Sequence, residues 1–180
     1  VDLAMITRLG EDATTAVIVS NQSVRQVIMM LVMGASFGAQ GLIGRSVGEG
    51  RIESAEHVAG QIVILGAAFA ILVAAVGIPF AGAMLSELNV SPEVLAEGIP
   101  YLQITLLLNF GFVFLILFSA ILQGAGDSAT PLGIALLQTV VSLAAEWILI
   151  FGKFGAPQLG VMGAALGLGV GQLVGGLLAF

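Results

Sequence analysis

The sequence predicts an all-α polytopic membrane protein of about six transmembrane helices, the first of them truncated. Two compositional observations point there: 58% of the 180 residues are hydrophobic and only 9% are charged, with a mean hydropathy of +1.12. A soluble globular domain carries roughly 25% charged residues. The third observation is length. A hydrocarbon core of about 30 Å takes roughly 20 helical residues, so the chain allows five or six spans with short loops.

The elements follow from apolar runs bounded by Gly, Pro and charges. Residues 1–6 hold Asp2 and stop at Thr7 and Arg8, which reads as the last turns of a helix lacking its upstream half. A second run covers residues 13–43; its first half carries Asn21, Gln22, Ser23, Arg25 and Gln26, so that half needs shelter or water. Further spans are expected at residues 58–84, 99–122, 132–151 and from 159 to beyond 180. The connections, at 44–57, 85–98, 123–131 and 152–158, leave no linker and no second domain. Val1 at the start and an apolar run at the end make the chain an expected fragment, incomplete at both ends.

Gly163, Gly167, Gly171 and Gly175 recur every four residues in the last span. This chained GxxxG pattern strips one helix stripe of side chains and predicts close packing on a neighbouring helix.

Ionisable groups inside spans cost on the order of 2.5–3.5 kcal/mol on insertion scales, so each calls for a function or a partner. Asp2, Arg25 and Glu146 qualify. Asp2 precedes Arg8 by six residues, which sets it roughly 9 Å deeper along a helix axis and makes it a candidate proton carrier. Gln138, Ser142 and Glu146 are spaced by four and share one helix face. Glu146 either joins a wet interior stripe or snorkels to the interface beside Trp147. Arg25 shares a face with Gln22, Gln26, Met29 and Met33; pairing with Glu11 or Asp12 is its simplest account, and core packing the simplest for the methionines. Asn109, followed by Phe110, Phe112 and Phe114, suits a flat organic cation by cation–π contact, although lipid-facing rings explain the same letters. Gln22, Arg25, Met29, Met33, Asn109 and Gln138 are therefore candidate cavity residues.

Other classes are disfavoured. A net charge of −6 with five Lys and Arg leaves no basic surface for nucleic acid. Cysteine is absent, which removes disulfides and thiolate sites. The Gly48–Glu49–Gly50–Arg51 loop lacks the lysine and hydroxyl of a phosphate-binding loop, so no enzyme, metal site or cofactor is expected. Lys and Arg are split between both ends of the spans and do not fix orientation.

Four segments, VDLAMITRLG at 1–10, GEGRIESAEH at 48–57, LQGAGDSATPL at 122–132 and LIFGKFGAPQLGVMGAAL at 149–166, together resemble the multidrug and toxic compound extrusion family of cation-coupled antiporters. The resemblance covers essentially the whole chain. It implies the amino-terminal lobe of a two-lobe transporter in the cell's inner membrane, needing its own carboxy-terminal lobe as partner and organic cations as substrates. It also implies that loops 44–57 and 123–131 face the cytoplasm and loop 85–98 the outside. Asp2 matches the family's first-helix aspartate, implicated in cation coupling. Ser142 and Glu146 stand where the family often has Asn and an acid or Asn. The family's threonine after GAAL falls at Leu168, so a sodium site would lack oxygen ligands and the coupling ion is expected to be a proton, with sodium as the alternative. Ala129 replaces the usual arginine of the 122–132 loop. Two competing functions remain at this level: a lipid-linked oligosaccharide flippase of related plan, whose cavity would be more cationic, and a membrane scaffold without transport.

Overall fold

The computed structural model describes residues 11–20, 25–88, 91–153 and 157–179. Asp2 and Gln22 lie outside the described residues, as do the side chains of Glu11 and Asp12. The described residues form seven helices: α1 (Glu11–Ser20), α2 (Gln26–Gly48), α3 (Ile52–Ser86), α4 (Pro92–Leu107), α5 (Asn109–Gly124), α6 (Ala129–Phe151) and α7 (Gly160–Ala179). α2, α3, α6 and α7 are each long and apolar enough to cross a bilayer, and α4 and α5, bent by 44° at their junction, pass the same test as a pair. The apolar runs locate these crossings, and the helix ends depart from them where local chemistry intervenes.

The run at 13–43 falls on α1 and α2, and residues 21–24 between them lie outside the described residues. The third span is longer at both ends than residues 58–84, because Glu53, Glu56 and His57 sit on an exposed, helical first turn and a half. Only Glu49–Arg51 then separate α2 from α3. Gly50, at φ +72°, makes that reversal in a conformation few other residues adopt. Arg45 and Arg51 both bond the Glu49 carboxylate, which holds its pKa below the ordinary range.

The fourth span also starts earlier than residue 99. Ser91 Oγ accepts a hydrogen bond from Val94 N at 3.3 Å and Pro92 occupies the first helical turn, a start signal that needs no apolar side chain. The span then breaks at Leu108, whose side chain is received by Gly169 of α7. Just before α6, Asp127 Oδ1 accepts from Ala129 N at 3.0 Å and Thr130 N at 2.9 Å, and the helix ends on Gly152 at φ +64°.

Two apolar clusters hold the helices together. Ile28, Val32, Ala70, Leu85, Leu102, Leu106, Val113 and Leu117 join α2, α3, α4 and α5. Val17, Tyr101, Ile150, Val161, Ala164 and Ala165 join α1, α4, α6 and α7. Outside them the exposed faces are apolar, with Ile64, Leu72, Leu136 and Val140 each more than 60% exposed. That inverted surface is what hydrocarbon requires and water would penalise.

Candidate functional site

On α6, Gln138, Ser142 and Glu146 recur at one-turn spacing, and all three turn towards α7. Glu146 is 1% exposed and Ser142 4%, while the neighbouring Trp147 is 42% exposed. Glu146 thus points inward and does not reach for the interface. Gln138 is half-buried, and its Nε2 donates to Ser142 Oγ at 3.5 Å.

What covers this stripe is the glycine ladder of α7. A Cβ added at Gly163 would meet the Leu149 carbonyl carbon and oxygen at 2.7 Å; one at Gly167 would stand 2.5 Å from Glu146 N and 2.6 Å from its Cα. At Gly171 it would run into Ser142 Oγ and lie 2.9 Å from Gln138 O, and at Gly175 it would be 3.1 Å from Gln138 Cγ. Only glycine lets the α7 backbone approach this closely. The two patterns that the sequence carries separately, an amide–hydroxyl–carboxyl stripe and a glycine ladder, are two sides of one contact. Lipid is excluded from the carboxyl, as an ionisable group within a span requires.

The other candidate residues divide. The Arg25 guanidinium carbon lies 5.7 Å from the centroid of the Phe112 ring. Arg25, Thr105, Asn109, Phe112 and Gln172 line one small pocket at the α4–α5 break, closed by Ile28, Leu102 and Leu106. Asn109 (7% exposed) and Gln172 (5%) are buried there. The ring of Phe112 therefore meets a cation that belongs to the protein. Phe110, 42% exposed, stacks instead on Phe114, with centroids 4.4 Å apart. Met29 and Met33 do not line this pocket; they are 42% and 39% exposed on the flank of α2, a departure from core packing that arises because α2 buries the Ile28–Val32–Ser36–Ala39 stripe instead. Gln103, on another face of the same span, donates to Ile78 O at 3.3 Å and ties α4 to α3.

Gln172 escaped sequence reasoning. Its signal was present, a lone amide in an otherwise apolar and glycine-rich span, but one residue from the ladder it reads as part of the packing helix. In fact Gly171 faces α6 and Gln172 faces α5, where a Cβ at Gly111 would meet the Gln172 backbone at 2.8 Å. Among the described residues no three His, Cys, Asp or Glu side chains come together in a way that could hold a metal ion.

A bundle of long apolar helices, one pair of them bent at a break, inverted in polarity and carrying a sheltered carboxyl, defines the class: a polytopic helical membrane protein. The chain belongs to the MatE family, whose model matches residues 1–148. It is 30% identical over 181 residues to "Probable multidrug resistance protein NorM" of Thermotoga maritima, covering 99% of this chain and 39% of that one. It is 28% identical over 176 residues to "Uncharacterized transporter YisQ" of Bacillus subtilis, covering 97% and 38%. The chain thus spans about two-fifths of the length of these relatives. Among solved structures it superposes on a multidrug resistance MATE family transporter in its inward-facing conformation with a TM-score of 0.91 at 24% identity, over 99% of this chain and 39% of that one. The outward-facing conformation of such a transporter gives the same TM-score, over 99% and 38%. The helix arrangement of this lobe is common to both conformations.

Proposed function

We propose that this chain is the amino-terminal lobe of a proton-coupled antiporter that exports organic, often cationic, compounds across the cell's inner membrane. Its carboxy-terminal partner lobe supplies the opposite wall of the substrate path. Glu146 and Asp2 carry the coupling proton and Ser142 and Gln138 orient the carboxyl; Arg25, Asn109, Gln22 and the exposed flank of α2 at Met29 and Met33 belong to the wall the substrate meets. The observation that carries the reading is Glu146, 1% exposed between α6 and the backbone of α7.

A buried carboxyl favours the neutral form or one with a positive charge close by. A proton supplies the first and an organic cation the second, and if each stabilises a different conformation of the two lobes, their exchange is antiport. Sodium is the weaker choice because Leu168, where the family resemblance implies a threonine, offers no side-chain oxygen to a hard cation. MatE membership and the similarity to NorM-type relatives support the export reading.

The test uses the full-length parent in proteoliposomes with a fluorescent organic cation. Efflux is expected under an imposed pH gradient and not under a sodium gradient alone, and both Asp2→Asn and Glu146→Gln should abolish it while leaving insertion intact. Efflux driven by sodium alone would overturn proton coupling. Undiminished pH-driven efflux by both variants would remove the carboxyls from the mechanism.

A further inference from the structure

The pocket at the α4–α5 break has a donor that nothing in the described structure satisfies. Asn109 Nδ2 is fully buried and has no hydrogen-bond partner among the described residues, although the cost of stranding a donor normally leads proteins to pair it. The Arg25 side chain, a donor without acceptor capacity, lines the same pocket, as does the Gln172 amide, which offers one donor and one acceptor end. The neighbouring hydroxyl is already committed, since Thr105 Oγ1 donates to Tyr101 O at 2.8 Å. The pocket leaves about 10 Å³ for the centre of a water-sized sphere. That is about the space one water needs, and a water also needs two to four polar partners.

We propose that this pocket is a binding site for a single acceptor oxygen, held by Asn109 Nδ2 with Arg25 and Gln172 around it. The shared chemistry is an oxygen lone pair with one atom's worth of room. Two sources can supply it: a solvent water, or the carbonyl oxygen of an exported compound that displaces the water and reproduces its bonds. The donors that line the pocket, Asn109 Nδ2 and the Arg25 guanidinium, call for an acceptor atom, so a bound organic cation would direct its oxygen into the pocket. The compound arm rests on the export reading; the water arm does not.

The experiment uses the full-length protein in nanodiscs with Asn109→Leu, which keeps the side-chain volume and removes the amide. An oxygen bridging these groups predicts a lower Tm for the variant, because the bridge is lost. An empty pocket predicts the opposite sign, because a stranded buried donor is relieved. Gln172→Leu should also lower Tm, and the double variant should fall by less than the two together, since both amides hold the same atom. A Tm unchanged or raised in Asn109→Leu, or strict additivity in the double variant, overturns the proposal. Binding of rhodamine 6G, which carries an ester carbonyl, is then compared with tetraphenylphosphonium, which has no oxygen. A selective loss for rhodamine 6G of about tenfold in Asn109→Leu, the size of one hydrogen bond to a charged or buried donor, assigns the compound's oxygen to the site. An unchanged affinity ratio with lowered Tm assigns water. Efflux under a pH gradient reads the export function separately, so its failure leaves the Tm result standing.

Discussion

Glu146 of α6 and Gly167 of α7 are in backbone-to-backbone contact: a Cβ at 167 would stand 2.5 Å from Glu146 N. Gly167→Ala must therefore push α7 off the carboxyl it covers. The expected cost is about 1–3 kcal/mol, the range for overpacking a close contact. Gly60→Ala on α3 is the control, because nothing lies within 4 Å of its added Cβ; it should be neutral or stabilise by about 0.5–1 kcal/mol through helix propensity. Unfolding in mixed detergent micelles checks both, and equal effects would mean that α7 does not lie against α6 as described.

Ser142→Ala should weaken the parent less than Glu146→Gln does. The hydroxyl accepts one long hydrogen bond, from Gln138 Nε2 at 3.5 Å, and such a bond contributes on the order of 0.5–1 kcal/mol. The expected outcome is slower pH-driven efflux with the same driving ion, measured in the proteoliposome assay. A loss as complete as that of Glu146→Gln would make Ser142 an equal member of the coupling site.

The start of α6 carries a pH dependence. Asp127 holds the backbone N–H groups of Ala129 and Thr130, and the Thr130 side-chain hydroxyl foremost, then these backbone bonds, depress its carboxyl pKa. A depressed folded-state value means that the cap's contribution is complete above the ordinary carboxylate range and is lost as pH falls through the lower, folded value. Asp127→Ala should lower Tm near neutral pH, and the two melting curves should converge only on strong acidification. A gap that persists unchanged to low pH would contradict the capping role.

Phe112→Leu should destabilise by about 0.5–2 kcal/mol beyond its packing loss, because the Arg25 guanidinium carbon lies 5.7 Å from the ring centroid and cation–π pairs range from that lower value when exposed to the upper one when desolvated. In a double-mutant cycle with Arg25→Met the coupling should account for the excess. Zero coupling would mean that Arg25 is held by other groups and merely passes the ring.

Hydropathy alone determined the class and located the apolar spans, because burial of an uninterrupted apolar run of 20 residues in hydrocarbon outweighs any local preference. Spacing by four likewise put Gln138, Ser142 and Glu146 on one face and four glycines on another, since helix geometry is the same in every span. Helix ends were less legible: Ser91 and Pro92 started α4 well before its apolar run, and the break at Leu108 has no Gly or Pro at that position to announce it. Which faces meet was decided only by the tertiary structure. The glycine ladder could have packed on any neighbour, and its seat on the Glu146 stripe depends on residues far apart in sequence closing together. The same holds for Arg25, just before α2, Asn109 of α5 and Gln172 of α7, which lie far apart in sequence. Their meeting is fixed by the bend between α4 and α5 and by the one-residue rotation that turns Gly171 to one helix and Gln172 to the other.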